Sequence, residues 1–262
     1  MSTESFATDG VIYKYRAVNI NSISLLVNRE LYFASPKQLN DPHDCQIDVA
    51  AALKQALEKS HMCHVPPDRK EAITAFNKLY EDVSFIEDVK RRIDEVAICS
   101  FSTLPNNALM WTHYADQHRG FCLGFDPGLI RERRPRIMDC VLPWHVVYTD
   151  GNPFYSILNN PLNIEAFSSD HAMLFGLIQM ALTRKSTAWS YEKEFRFVRM
   201  VDGCGFVKFD PSAVVEIVLG CNMSEYDRKT LLNLLKAPEW SHVWLREVIK
   251  SPTSFTFRIV SL

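Results

Sequence analysis

The run Trp189-Ser190-Tyr191-Glu192-Lys193-Glu194-Phe195-Arg196 sets charges inside what reads as a core strand. If it is extended, Trp189, Tyr191, Phe195 and the following Phe197 face one way, and Glu192, Glu194 and Arg196 the other. An apolar face then backs an ionised one. Two carboxylates two residues apart in a strand have Cα atoms roughly 7 Å apart, near enough to raise one another's pKa unless a cation stands between them. Arg196 is placed to be that cation. Strands are depleted in Glu and Lys, yet this one runs on into Phe197, Val198 and Met200 as if entering a core. The competing reading is an exposed strand whose charges meet water, the usual surroundings of Glu and Arg.

On the N-terminal side of this run, Ile164 to Leu182 is the most apolar helical segment, with Met173, Leu174, Leu177, Ile178 and Ala181 at helical spacing. It is the expected central helix, and Trp189 and Tyr191 are expected to pack near it. On the C-terminal side, Gly205 to Phe209, Val214 to Leu219, His242 to Ile249 and Phe255 to Val260 read as strands. Ser224 and Asp227 cap a helix through Leu235. Toward the N-terminus, Val11 to Arg16 alternates as a strand, Asn21 or Ser22 can cap a helix over Ile23 to Asn28, and Leu31 to Ala34 is a second strand. Leu39 to Cys45 is a loop, because Pro42 bars Asp41 from helical geometry and Asn and Asp favour turns. The stretch 47–95 reads as a helical insertion and Glu95 to Thr103 as a strand. Asn106 or Asn107 caps a helix placing Trp111, Tyr114 or Ala115, and His118 on one face. Phe121 to Phe125 and Val141 to Tyr148 complete the strands. The expectation is an α+β fold, with a mixed, largely antiparallel sheet core and the helical insertion, in one domain over residues 1–262.

Composition excludes some functions. The 262 residues are 47% hydrophobic and 23% charged with a formal net charge of -2, so no global field holds the chain on nucleic acid or an anionic membrane. The basic run Arg131, Arg133, Arg134 and Arg136 leaves a local nucleic-acid contact open. Seven cysteines, odd in number and without a Cys-x-x-Cys pair, point to a reducing compartment. His61-Met62-Cys63-His64 lacks a second ligand pair, so no metal is expected. No basic-then-apolar leader and no apolar run of about 18 residues is visible, so the expected location is cytoplasmic, away from membranes. No Gly-rich phosphate loop occurs.

Five motifs together resemble the bacterial family known as domain of unknown function 2971. They are Tyr13-Lys14-Tyr15-Arg16; Leu31-Tyr32-Phe33-Ala34-Ser35-Pro36 with Leu39-Asn40-Asp41-Pro42; Cys99-Ser100-Phe101-Ser102; Met110-Trp111-Thr112-His113-Tyr114-Ala115 with Gly120-Phe121; and Trp189 to Arg196. The resemblance spans residues 11 to about 220, and Lys185 fits its pattern. An aromatic residue is usual where His43 stands. The family label implies no activity.

A more distant similarity does. An Arg ending a first strand, a Ser-x-Ser in a middle strand and a late Glu-x-Glu are similar in order to the NAD-binding fold of ADP-ribosyltransferases, which implies a split sheet. On that similarity Arg16 holds the phosphates or ribose of NAD, Ser102 supports the nicotinamide pocket, and Glu194 bonds a ribose hydroxyl while the glycosidic bond breaks. Glu192 is the general base, and Tyr13, Tyr15, Trp111 or Tyr114 stacks on nicotinamide. A carboxylate favours the oxocarbenium-like transition state over the neutral ground state. NAD is then a substrate, with no resident cofactor and an unspecified macromolecular acceptor. Two other readings stay open: a hydrolase of some other glycosidic bond, and a non-catalytic module binding a ligand or partner through Arg16, Asn40, Asp41 and Arg196.

Overall fold

The computed structural model describes residues 10–62, 74, 77–78, 80–130, 141–155 and 170–262. Its strands are β1 (Ile12–Arg16), β2 (Glu30–Phe33), β3 (Ala97–Ser102), β4 (Phe121–Phe125), β5 (Val141–His145), β6 (Val147–Tyr148), β7 (Arg184–Lys185), β8 (Glu194–Arg199), β9 (Gly205–Lys208), β10 (Val214–Leu219), β11 (Trp244–Lys250) and β12 (Phe257–Ser261). Eight of them form one sheet in the order β12-β11-β10-β4-β1-β3-β8-β5. Every pairing is antiparallel except β10 against β11. This is the α+β, largely antiparallel core that the sequence led us to expect.

One seam in that sheet is weak. Strand β1 pairs with β4 along all five residues but meets β3 only at Tyr13 opposite Ser102. Four residues back along β3, Ile98 bonds instead to Ala34 at the end of β2, N–H to O at 2.7 Å and O to N–H at 2.8 Å. Strand β2, which otherwise pairs with β9, thus acts as a wedge. Among the described residues, no strand covers that side of β3 between Ile98 and Ser102. The alternation of β1 sends Ile12 into the main apolar layer and Tyr13 and Tyr15 into a smaller cluster with Trp111, leaving Lys14 and Arg16 on the side of Ile12.

The stretch 47–95 is helical in the described elements Val49–Met62 and Val83–Glu95. In the second helix Ile86, Val89 and Ile93 are buried at i, i+3 and i+7, and Asp82 caps its start through the Ser84 and Phe85 amides. Both helices share an apolar cluster with Leu177 and Ile178 of helix Asp170–Thr183 and with Ile98 and Val198 of the sheet.

Four local expectations are corrected. The run Trp189 to Arg196 is not one strand: Thr187–Glu192 is a 3-10 helix, Lys193 is left-handed with φ 45°, and β8 begins at Glu194. Asp150 accepts from the Thr187 amide at 2.9 Å and the Ser186 hydroxyl at 2.8 Å, and Ser186 accepts from the Ala188 amide, so local side-chain bonding outcompetes extension. The helix carrying Trp111 spans Ala108–Tyr114 and excludes His118, because Asp116, Gln117 and His118 are all left-handed, with φ of 49°, 55° and 67°. That reversal carries the chain to Gly120, where a Cβ would lie 2.1 Å from the Arg16 carbonyl oxygen. The cap of helix Ile20–Asn28 is Asn19 rather than Asn21 or Ser22. The expected strand Val141 to Tyr148 is two, β5 and β6. The basic run Arg131 to Arg136 and the zinc-like residues Cys63 and His64 lie outside the described residues.

Candidate functional site

A pocket of 340 Å³ opens at the wedge between β1 and β3. Lys14, Tyr15 and Arg16 line it from one side, and Ile98, Ser100, Phe101 and Ser102 from the other. Lys14 Nζ donates to the Ser100 carbonyl at 2.6 Å, serving an acceptor that a paired strand would otherwise have met, and lies 5.3 Å from the Phe101 ring centroid. Arg16 Nε is buried without a hydrogen-bond partner, and burial lowers the pKa of its guanidinium. Among the described residues, no carboxylate pairs with either cation.

The opposite side is densely paired. Lys185 Nζ lies 2.5 Å from Glu192 Oε2, 3.0 Å from Glu194 Oε2 and 3.4 Å from Asp44 Oδ2. Beneath them Arg196, fully buried, grips Glu194 through Nε at 2.7 Å and Nη2 at 3.0 Å, and reaches Asp44 Oδ2 at 2.6 Å and the Leu182 carbonyl at 2.7 Å. The Tyr114 hydroxyl donates to Glu192 Oε1 at 2.5 Å and accepts from Asn40 Nδ2 at 3.2 Å. The backbone that aims these groups is also tied down. The Ser102 hydroxyl donates to the Glu192 carbonyl at 2.7 Å, Asn107 Nδ2 to the Tyr191 carbonyl at 2.7 Å, and the Glu194 amide to the Tyr148 hydroxyl at 2.8 Å.

These surroundings push the two glutamates apart. For Glu192, burial outweighs Lys185 and Tyr114 and raises the pKa. Burial would raise Glu194 too, but Arg196 and then Lys185 hold it far below the usual carboxylate range. Lys185 stays an ammonium, since its three carboxylates together overcome its burial. Two neighbouring carboxyl groups are thus shifted in opposite directions by their surroundings.

The structure brings Glu192, Glu194, Arg16, Asn40, Ser102 and Tyr114 to this pocket. Ser102 is fully buried, and besides donating to Glu192 its oxygen accepts from the Leu104 amide at 3.1 Å, so it serves the backbone. Arg196 supports the carboxylates from below and is not a lining residue. Asp41 faces a separate cavity of 270 Å³ and accepts from the His43 amide. Trp111 is fully buried outside the pocket, donates to the Pro105 carbonyl at 2.8 Å, and packs edge-on against Tyr15. Tyr13 and Tyr15 skirt the pocket, but their hydroxyls are committed to Glu216 and the Leu104 carbonyl, both at 2.6 Å. Lys14 and Asp44 were not among the expected binding residues. Lys14 was legible, since it shares a strand face with Arg16; Asp44 had no signal beyond its turn-forming neighbours.

Among the described residues, no group of three or more His, Cys, Asp or Glu is placed to hold a metal ion, and no helix is long and apolar enough to cross a membrane. Residues 110–197 match the model of a family described as protein of unknown function (DUF2971). The matched segment holds Tyr114, Lys185, Glu192, Glu194 and Arg196; Lys14, Arg16, Asn40, Asp44 and Ser102 precede it. No curated protein and no solved structure matches the chain.

Proposed function

We propose that this pocket binds NAD and breaks its nicotinamide N-glycosidic bond, as an ADP-ribosyltransferase-like or NAD-cleaving enzyme. The observation that carries the reading is the pair Glu192 and Glu194, adjacent yet shifted in opposite directions, facing two unneutralised cations across one pocket. Lys14 and Arg16 take the pyrophosphate. Ionised Glu194 contributes fixed negative charge near the sugar as its C1′–N bond breaks and nicotinamide leaves with the bonding electrons. Glu192 takes the proton from the acceptor hydroxyl, amine or water as it bonds to C1′, a role suited to a carboxylate whose pKa burial raises.

The saturation of Glu194 by Arg196 and Lys185 favours a second reading, a module that holds the same ligand without cleaving it. The deciding experiment incubates purified protein with NAD and follows nicotinamide release for wild type, Glu192→Gln and Glu194→Gln. Release that falls about 100-fold or more in Glu192→Gln with folding intact is the expected result. An NAD-dependent thermal shift without release supports the binding module. Neither shift nor release rejects both readings.

A further inference from the structure

The mouth of the pocket carries an aromatic pair that the proposed chemistry leaves unused. Tyr32 on β2 lines the pocket and sits directly opposite Phe206 on β9. Their ring centroids are 5.1 Å apart at 61°, an edge-on contact that leaves ring faces uncovered. Tyr32 is 40% exposed and Phe206 68%, on the ribbon face they share with Glu30 and Lys208, so neither ring is spent on the core. The Tyr32 ring is nevertheless held at two points, by its contact with Phe206 and by its hydroxyl bond to Gln38 Oε1 at 3.1 Å. Gln38 is itself fixed, since the same oxygen accepts from the Ser35 amide at 3.0 Å. Leu31, Ala34 and Leu39 line the same pocket, as do Lys14 and Arg16.

A half-exposed ring fixed in the lining of a pocket that also holds two cations, which no carboxylate pairs with among the described residues, matches a ligand with a flat apolar ring and an anion. We propose that Tyr32, backed by Phe206, is the platform on which the nucleobase of a nucleotide stacks. The proposal rests on reading the pocket as a nucleotide site and adds the residue that recognises the base. Its charge-free surface gives affinity for a flat ring with little choice among bases, because every base has a π-face.

Titration of the full chain with ADP and with inorganic pyrophosphate tests it. Wild type is expected to bind ADP about tenfold or more tightly than pyrophosphate, the range that one aromatic–base stack supplies. Tyr32→Ala should bring ADP down to the pyrophosphate level while pyrophosphate affinity stays within about twofold, and Tyr32→Trp should keep the ADP advantage. Equal affinities in wild type, or a Tyr32→Ala variant that keeps its preference for ADP, overturns the stacking role and leaves the anion site standing. If neither probe binds wild type, the nucleotide reading falls and this proposal with it.

Discussion

The two sides of the pocket treat charge in opposite ways. On the side of Glu192 and Glu194, three carboxylates and two cations interlock within hydrogen-bond reach, and every charge has a partner. On the side of β1, among the described residues, Lys14 meets the Ser100 carbonyl and the Phe101 ring but no carboxylate, and Arg16 Nε has no hydrogen-bond partner. A buried charge costs free energy unless something compensates it. The paired side is therefore complete as it folds, whereas among the described residues the β1 side offers its cations no carboxylate, which is what the proposed anion site requires.

Substitutions at the two arginines should give the sharpest contrast. Arg196→Met strips the guanidinium from Glu194 and Asp44 and is expected to cost about 3–5 kcal/mol in urea unfolding, the usual penalty for breaking a buried pair. Arg16→Met should change stability by less than about 1 kcal/mol, because no carboxylate is left behind, and should abolish pyrophosphate binding measured by titration. Comparable losses from both would erase the distinction.

Lys185→Met is next, at about 2–3 kcal/mol at neutral pH, with the loss shrinking as pH falls because protonated Glu192 no longer needs the ammonium. Unfolding free energies between pH 4 and pH 8 check this, and a loss independent of pH would contradict it.

The glutamates should then separate by pH. Glu194 is held below its ordinary 4.5, so its stabilising contribution is present above that value and fades as pH falls through its lowered folded pKa. Glu192 is raised above 4.5, so its contribution is present below that value and fades as pH rises through its raised folded pKa. Glu194→Gln should accordingly flatten the acid limb of the stability profile, and Glu192→Gln should remove the decline that sets in as pH rises through the raised folded pKa of Glu192. Identical profiles for the two variants would remove the basis for assigning them different roles.

The smallest effect belongs to Lys193, whose left-handed φ of 45° lets a 3-10 turn and a strand deliver neighbouring glutamates to one ammonium. Lys193→Gly should stabilise by about a few tenths of a kcal/mol, what remains after relief of that strain is set against the entropy of glycine, and a slight rise in the melting temperature checks it.

Most strands were legible because alternation and turn residues are local signals. The charged run at 189–196 was legible in composition but not in shape. Its convergence on Lys185 depends on Asp150, some 40 positions earlier, drawing Ser186 and Thr187 into a turn. The stripe of Trp111, Tyr114 and His118 misled in a similar way. Helical spacing continued past Tyr114, but close approach of Gly120 to Arg16 required the backbone to reverse first. Asp44 and the wedge made by β2 were illegible, since both arise from long-range pairing that no window of sequence contains.

The single residue pair joining β1 to β3 has a mechanical side. It divides the eight-stranded sheet into two leaves, β12 to β1 and β3 to β5, held together mainly by the apolar layer beneath them. A molecule gripped by Arg16 on one leaf and by Glu192 beside the other would act as the cross-link that the backbone omits at this seam. Occupancy should then slow amide exchange along Lys14 to Arg16 and Cys99 to Phe101, making the sheet itself the gauge of its ligand.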